Sequence, residues 1–263
     1  APKADHDALW AHDAQRWNDG WRLLINSHRK LIGLRPVSDV RSYILTDRPW
    51  LAADQTLAPW PDPADGAVFQ TGAWILPDER PLAPELEAFL DAGEPPVYFG
   101  FGSGVWLPSA AQTFGLISVA CARLGERALI CAGASDFGDL AQSDQVKVVN
   151  AVNHAAIFPA CRAVVHQGGA GTTAAGMRAG VPTLILWHPI NDQQIWADAV
   201  TRLKVGLGRA FSASNLGSLV ADLHSILDPQ CVTRAGEVAG QTTKPAVSVA
   251  SAADLLEDAV SRR

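Results

Sequence analysis

The sequence is poor in the residues that mark several classes of protein. Four cysteines occur among 263 residues, and no two are spaced as CxxC. We therefore predict neither a cysteine zinc site nor a disulfide, and interpret the cysteines as reduced core residues. No segment approaches the roughly 18 apolar residues of a membrane-spanning helix. The 21 Lys and Arg residues are outnumbered by 27 Asp and Glu residues. Nucleic-acid binding is not expected, because it requires a basic face.

The sequence does contain a regular alternation of apolar and amphipathic segments after residue 96. The apolar segments predict strands at 97–101, 127–131, 145–149, 163–166, 182–187 and 205–209. The segments between and after them predict helices at 110–124, 154–159, 171–179, 192–203, 214–227, 232–239 and 247–260. Because the strands are apolar throughout, they fit a parallel sheet with both faces covered. We predict an α/β fold.

The first 96 residues are less regular. Apolar residues at helical spacing predict one amphipathic helix over residues 5–31. A strand is predicted at 41–46 and a short one near 68–71. Eight of the 17 prolines fall between Pro59 and Pro96, which is typical of a long ordered loop or a domain linker.

The loops beyond the carboxyl ends of the strands are the candidate ligand sites, as in other open parallel sheets. The stretch HQGGAGTT, residues 166–173, lies between a predicted strand and a predicted helix. A helix N-terminus offers unpaired amides and a positive dipole to an anion. Between residues 163 and 201 the one Lys or Arg is Arg178, so amides would hold an anion there. A tight turn that needs glycine for packing is the alternative. His166 is either a structural residue or a hydrogen-bond donor to phosphate, a better one if protonated.

Two other loops have competing interpretations. Ser103 follows a glycine-rich turn that lacks the dinucleotide fingerprint, because Val105 stands where the last glycine is required. Ser103 is either a solvated loop serine or a hydroxyl donor to phosphate. Ala151 and Val152 offer backbone against which a flat base can lie, whereas Asn153 is explained as the N-cap of the next helix.

Asp192 and Gln193 open a further predicted helix. Capping alone explains Asp192. The pair also supplies the acceptor oxygens and the amide that the vicinal hydroxyls of a sugar need. The acidic start of the chain, Asp5-His6-Asp7, is interpreted as a solvated helix N-terminus, so no metal site is predicted.

In combination, these stretches resemble a known family. The order is GFGS after a strand, then VNH, HQGGAGTT, AGVP and NDQ, preceded by TGAW at 71–74 and RPL at 80–82. They resemble the donor-binding domain of GT-B glycosyltransferases, in the bacterial branch of family 1 that modifies antibiotics, glycolipids and sterols. The resemblance runs from about residue 40 to the end. Its most specific part is His-x-Gly-Gly-x-Gly-Thr followed by Asp-Gln.

The resemblance implies a role for each candidate residue. The residues that would hold the nucleotide diphosphate are Ser103, His166, Gly169, Ala170, Gly171 and Thr172. Ala151 and Val152 would meet the base, and Asp192 and Gln193 would hold sugar hydroxyls. The substrate would be a UDP- or dTDP-sugar. No cofactor or metal would be needed, because the helix dipole and amides stabilise the departing nucleotide.

The resemblance also implies a GT-B type, Rossmann-like doubly wound parallel sheet, with residues 76–263 as the donor-binding domain. Residues 1–75 would be a remnant of the acceptor domain and the start of the linker, and the last helix would reach back to that domain. About 150 residues of a two-domain enzyme are missing by this comparison, and the catalytic base is expected among them. No catalytic residue is therefore assigned within this chain, which alone is expected to be inactive.

The expected reaction is transfer of a hexose, with inversion, to a hydroxyl of a small hydrophobic or lipid acceptor. Two alternatives stay open. One is a non-catalytic donor-binding module that works with a separate acceptor-domain chain, and the other is a nucleotide-sugar epimerase of related fold. The first residues contain no signal-peptide apolar region. We expect a cytoplasmic protein, with peripheral contact at the inner face of the membrane left open.

Overall fold

A computed structural model of the chain describes residues 3–60, 68–76, 78–102, 109–133, 143–189 and 192–261. The chain divides into two compact units. One is made of Ala1–Leu51 with Trp60–Gln70, and the other of Ala52–Pro59 with Thr71–Arg263. The assignment of residues 1–75 to an acceptor domain stays a prediction.

The smaller unit is built on one long helix. This helix, α1 (Lys3–Leu31), carries the amphipathic pattern that predicted it, and α2 (Val40–Leu45) packs against it. Asn18 Oδ1 accepts the backbone N–H of Val40 at 2.9 Å, and Arg41 pairs with Asp13 at 2.9 Å. Two short parallel strands, β1 (Trp50–Leu51) and β2 (Phe69–Gln70), follow in the same unit.

The larger unit contains a six-stranded parallel sheet. Its strands are β3 (Val97–Gly100), β4 (Ala128–Cys131), β5 (Val146–Val149), β6 (Ala163–His166), β7 (Thr183–Trp187) and β8 (Gly206–Ala210). They are hydrogen-bonded in the order β5-β4-β3-β6-β7-β8. The chain thus runs from β3 outward to one edge, returns to the centre at β6, and runs outward to the other edge. The predicted doubly wound parallel sheet is confirmed.

Helices cover both faces of this sheet. The helices that the structure describes in this unit are α3 (Pro84–Asp91), α4 (Ala110–Leu124), α5 (His154–Ile157), α6 (Ala170–Ala179), α7 (Gln193–Leu203), α8 (Leu216–Ile226), α9 (Pro229–Ala239) and α10 (Pro245–Ser261). Alternate strand residues enter two cores. Val97 and Phe99 pack with side chains of α4 and α8, whereas Tyr98 and Leu129 pack with side chains of α3 and α5. Because both faces are covered, the four central strands β4, β3, β6 and β7 are buried almost throughout and show no polar alternation.

Local signals explain where the predicted helices begin and end. Ser109 caps α4 through its side chain, and α4 stops at Gly125 in the left-handed region, with φ 70°. Glycine adopts that conformation without strain. Asn215 and Ser218 form a reciprocal capping box at the start of α8.

Two segments of the first 96 residues differ from the prediction. The strand predicted at 41–46 is wrong, because Val40–Leu45 is helical and Asp39 caps it by accepting the N–H and the hydroxyl of Ser42. The proline-rich stretch is not wholly loop, because it contains α3. That helix has Pro84 and two glutamates in its first turn, which are favoured at a helix N-terminus.

The cysteines are free thiols, as predicted. Cys121, Cys131 and Cys161 are buried, and Cys231 is half-buried. Burial raises the pKa of the Cys121 and Cys161 thiols to about 12. Within the part of the chain that the structure describes, no helix has the length and apolar character to cross a membrane. The same residues contain no group of three or more His, Cys, Asp or Glu side chains arranged for a metal ion.

Candidate donor-binding site

The sheet order places two glycine-rich loops side by side. Strands β3 and β6 are neighbours, and Gly100 is paired with His166 at their carboxyl ends. The direction of winding reverses between these two strands. Such a reversal opens the crevice in which open α/β sheets bind ligands. The loop after β3 and the loop after β6 therefore border the same crevice.

The N-terminus of α6 lies directly after β6 at that crevice. Gly169 is its N-cap residue, Ala170, Gly171 and Thr172 follow in the first turn, and no side chain caps this end. In α-helix geometry these four residues carry the amides that lack an intrahelical acceptor. Ala170 and Gly171 are exposed, and a Cβ built on Gly171 would meet no atom within 4 Å. The helix end is thus open, uncapped and suited to an anion.

His166 is fully buried at the end of β6 and is held in one tautomer. Its Nδ1 accepts the Gly168 N–H at 2.9 Å, so the neutral ring carries its proton on Nε2. Burial, and to a smaller extent the nearby His154, lowers the pKa of His166 to about 3. The ring is therefore neutral at pH 7, and the protonated donor considered from the sequence is not the form present. Its Nε2 is buried and finds no hydrogen-bond partner among the described residues.

The glycines of this loop serve two different purposes. Gly168 has φ 96°, and a Cβ there would lie 2.8 Å from Ile185 Cγ2 and 3.1 Å from Gln193 Cβ. Packing therefore requires glycine at 168. Gly171 has open space around it, so packing does not explain its presence. The packing interpretation therefore applies to Gly168, whereas the role of Gly171 in an anion site stays a prediction.

Gln167 is a site residue that the sequence did not single out. A Cβ built on Gly102 would lie 2.5 Å from Gln167 Nε2, and one built on Gly169 would lie 3.2 Å from it. The carboxamide thus occupies the space between the β3 loop and the N-cap of α6. The sequence could have indicated Gln167 as a candidate, because it lies between His166 and the glycines of the same loop.

The predicted sugar-binding pair lies at the start of α7, beside the same loop. Asp192 is the N-cap residue, but its side chain makes no capping bond, so the capping explanation for this carboxylate is wrong. Its Oδ2 accepts the Trp196 indole N–H at 2.6 Å. Gln193 is buried, and its Oε1 accepts the backbone N–H of His188 at 2.8 Å. These two bonds engage Asp192 Oδ2 and Gln193 Oε1 and leave Asp192 Oδ1 and Gln193 Nε2 for other partners.

The residues predicted to meet the base lie in the loop after β5. Ala151 is exposed and Val152 is half-buried. The next residue, Asn153, caps α5 through its side chain, as predicted. Its Nδ2 also donates to the carbonyls of Asp78 and Arg80 at 2.8 and 2.9 Å. The amide thereby fastens the segment before α3 to this edge of the sheet.

Ser103 lies outside the residues that the structure describes, so its predicted contact with a diphosphate stays a prediction.

On the opposite side of the sheet from α4, His154 Nε2 lies 3.2 Å from the Tyr98 hydroxyl, and the His154 ring stacks on Phe158 with 4.5 Å between the ring centroids. This aromatic cluster packs near His166, whose pKa responds to His154.

Comparisons with known proteins agree on one family. Residues 132–254 match the family described as erythromycin biosynthesis protein CIII-like, C-terminal domain. An uncharacterized glycosyltransferase of Mycobacterium tuberculosis is 48% identical over 250 residues, which cover 95% of this chain and 58% of the relative. The vancomycin aglycone glucosyltransferase of Amycolatopsis orientalis is 43% identical over 258 residues, which cover 98% of this chain and 62% of the relative.

Solved structures share the fold. The glycosyltransferase of kitacinnamycin superposes with a TM-score of 0.70 at 19% identity, covering 97% of this chain and 67% of that one. The calicheamicin glycosyltransferase has a TM-score of 0.66 at 17% identity, covering 98% and 66%. The chain belongs to the GT-B glycosyltransferases of family 1. The predicted GT-B fold is confirmed.

The chain spans about three fifths of the length of these curated relatives, 58% and 62%. The family match at 132–254 includes the loop after β5, the N-terminus of α6 and the start of α7. It therefore spans every predicted site residue except Ser103.

Proposed function

We propose that this chain is the nucleotide-sugar-binding part of an inverting glycosyltransferase that transfers a hexose to a hydroxyl of a small hydrophobic or lipid acceptor. The donor is a UDP- or dTDP-sugar. One observation carries the proposal. At the crevice between β3 and β6, α6 begins without a side-chain cap at Gly169, three residues after His166, whose buried Nε2 has no partner among the described residues.

The donor diphosphate fits this combination of groups. Its oxygens accept hydrogen bonds from the amides of Gly169 to Thr172, and the helix dipole favours the negative charge. The His166 Nε2–H donates to the phosphate that bears the sugar, and the bond satisfies a donor that has no partner among the described residues. Ser103 would add a hydroxyl from the loop after β3.

The same groups stabilise the departing nucleotide. When the bond between the sugar and the diphosphate breaks, negative charge grows on the phosphate oxygens. Fixed amides and a helix dipole stabilise that charge without reorganising. Arg178 is the one Lys or Arg between residues 163 and 201, and it lies in the last turn of α6, away from the open end. We therefore propose that no metal and no cofactor take part.

The base and the sugar occupy the flanking loops. Ala151 is exposed and Val152 is half-buried in the loop after β5, and the pyrimidine lies against these two residues. Asp192 Oδ1 and Gln193 Nε2 bind the sugar hydroxyls as acceptor and donor. Gln193 also packs against Gly168, so the side chains proposed to bind the sugar lie next to the loop proposed to bind the diphosphate.

The acceptor is activated outside this chain. The relative from Amycolatopsis is named as a glucosyltransferase of the vancomycin aglycone, which supports a hexose donor and a small hydroxylated acceptor. The proposed base comes from the part of the two-domain relatives that this chain does not match, or from a separate chain that carries it. The 263-residue chain alone then binds donor without transferring sugar.

Titration calorimetry tests the donor site. The chain is titrated with UDP, dTDP and their glucose and rhamnose conjugates. We expect His166→Ala to weaken every ligand and Asp192→Ala to weaken only the sugar conjugates. His224→Ala, at an exposed position of α8, is the matched control and should change nothing. A folded chain that binds none of these ligands would contradict the proposal.

A turnover assay tests where the base lies. We expect no transfer by the chain alone when donor and a phenolic or lipid acceptor are supplied. Transfer by the isolated chain would show that this chain contains its own base. That result would refute the proposal that the base lies outside this chain, but it would not contradict donor binding.

A further inference from the structure

Asp192 is unusual among the acidic helix caps of this chain. Asp228 and Asp39 each accept a backbone N–H of the helix they open. Asp192 opens α7 with helical dihedral angles, φ −94° and ψ −1°, and accepts none. A capping residue has non-helical, usually extended dihedral angles, so this backbone conformation keeps the Asp192 carboxylate from capping α7. The carboxylate is therefore not engaged by the helix amides and takes another partner.

The group that holds the Asp192 carboxylate is the indole of Trp196. Its Nε1–H donates to Asp192 Oδ2 at 2.6 Å. Trp196 is buried, and it lies on the inner face of α7 with the buried Ala197 and Val200. An indole nitrogen is a donor only. The contact therefore requires the carboxylate oxygen, and it leaves Oδ1 as the remaining acceptor.

We propose that Trp196 is a positioning residue for the donor sugar, which fixes the Asp192 carboxylate so that Oδ1 accepts a sugar hydroxyl. The inference rests on the proposed function and adds a residue that does not itself touch the ligand. A carboxylate held in advance by a charge-assisted bond loses less rotamer freedom on binding. The sugar should therefore bind more tightly than it would to a freely rotating aspartate.

Gln193 is held in a parallel way. The His188 N–H occupies its Oε1, which leaves the NH₂ group to donate. The pair thus presents one acceptor and one donor in fixed positions. That arrangement suits hexoses with two adjacent hydroxyls. A sugar that lacks the hydroxyl bound by Asp192 should bind with an affinity that does not depend on Trp196.

The test compares ligands with and without the sugar. For each variant, calorimetry gives the ratio of the dissociation constant of the nucleotide hexose to that of the free nucleotide diphosphate. We expect Trp196→Phe, which keeps the ring and removes the N–H, to raise this ratio about tenfold, equivalent to 1.4 kcal/mol. Binding of the free nucleotide should be unchanged. Trp74→Phe is the matched control, because its indole also donates to a side-chain oxygen, Thr71 Oγ1 at 2.8 Å.

Because Trp196 acts through Asp192, the two substitutions should not be additive. In the Asp192→Ala background, Trp196→Phe is expected to leave the ratio where Asp192→Ala alone puts it. The inference would be overturned if Trp196→Phe left the ratio unchanged, or if it changed the ratio equally in the wild-type and the Asp192→Ala chains. In either case, continued binding of the free nucleotide would still support the proposed function. Failure of the wild-type chain to bind any nucleotide would overturn both.

A second readout detects the indole directly. The chain has nine tryptophans, and the indole resonance lost in Trp196→Phe identifies Trp196 in a nitrogen–proton correlation spectrum. That resonance should shift in Asp192→Ala, and in the wild-type chain it should respond to the nucleotide hexose more than to the nucleotide diphosphate. An equal response to both ligands counts against a role in sugar positioning.

Discussion

Replacing Gly171 by alanine should stabilise the fold and weaken donor binding. Gly171 is the second residue of α6, its φ is not positive, and a Cβ there meets nothing within 4 Å. Alanine is preferred over glycine in a helix by up to about 1 kcal/mol. The substitution should therefore raise the midpoint of thermal unfolding by about 2 to 4 °C for each kcal/mol gained.

The same methyl group would stand where the diphosphate is proposed to lie against the backbone. Inserting one extra carbon into a well-packed site costs about 1–3 kcal/mol. Affinity for UDP or dTDP should therefore fall roughly five- to 150-fold. Stability and binding thus move in opposite directions, which a general disturbance of the fold cannot produce.

Gly115→Ala is the control for this experiment. Gly115 lies within α4, is exposed, and also has nothing within 4 Å of a built Cβ. Thermal unfolding and calorimetry are measured on both variants. Gly115→Ala should stabilise without any loss of nucleotide affinity. If Gly171→Ala binds nucleotide as tightly as the wild-type chain, the assignment of the open end of α6 to the diphosphate is refuted.

Three further predictions concern stability and pH. The pKa of His166 is about 3 against an ordinary value of 6.5, so the unfolded chain binds the extra proton first as pH falls. Unfolding free energy should drop between pH 6.5 and 3 by up to about 1.4 kcal/mol per pH unit. His166→Asn should lessen that slope in urea titrations, and an unchanged slope would contradict the buried neutral ring. Gly168→Ala should destabilise by about 1–3 kcal/mol in the same assay, because its φ and its contacts exclude a Cβ; a neutral effect would disprove the packing requirement. Arg127→Met should cost about 3 kcal/mol, since the buried Arg127 guanidinium donates to three backbone carbonyls, and a loss below about 1 kcal/mol would show that water replaces those bonds.

The sheet and the open helix end were predictable because each depends on a local pattern. Continuous apolar runs mark strands that are buried on both faces, and all six strands of the large sheet were found within a residue or two of their predicted limits. The glycines of residues 166–173 indicated a strand-to-helix turn whose amides are open. The resemblance to GT-B enzymes was readable for the same reason, since its motifs are short and contiguous.

Residues 40–45 show where local pattern was insufficient. Tyr43 and Ile44 favour a strand on propensity alone. The Asp39 cap and the bond from Val40 to Asn18 of α1 select a helix. Tertiary contacts commonly override preferences of this small size.

From residue 97 onward, the sequence was sufficient to predict the succession of strands and helices along the chain, and it also indicated the loops that carry the candidate site and the family. The hydrogen-bonding atoms that each site residue leaves free for a ligand could be seen only in the tertiary structure. His166 is neutral because the whole sheet buries it, and its Nε2 carries the proton because Gly168 takes Nδ1. Asp192 Oδ2 is engaged because the buried Trp196 indole lies one turn along α7. Burial and partner choice depend on atoms brought together by folding, so no pattern of neighbouring residues can reveal them.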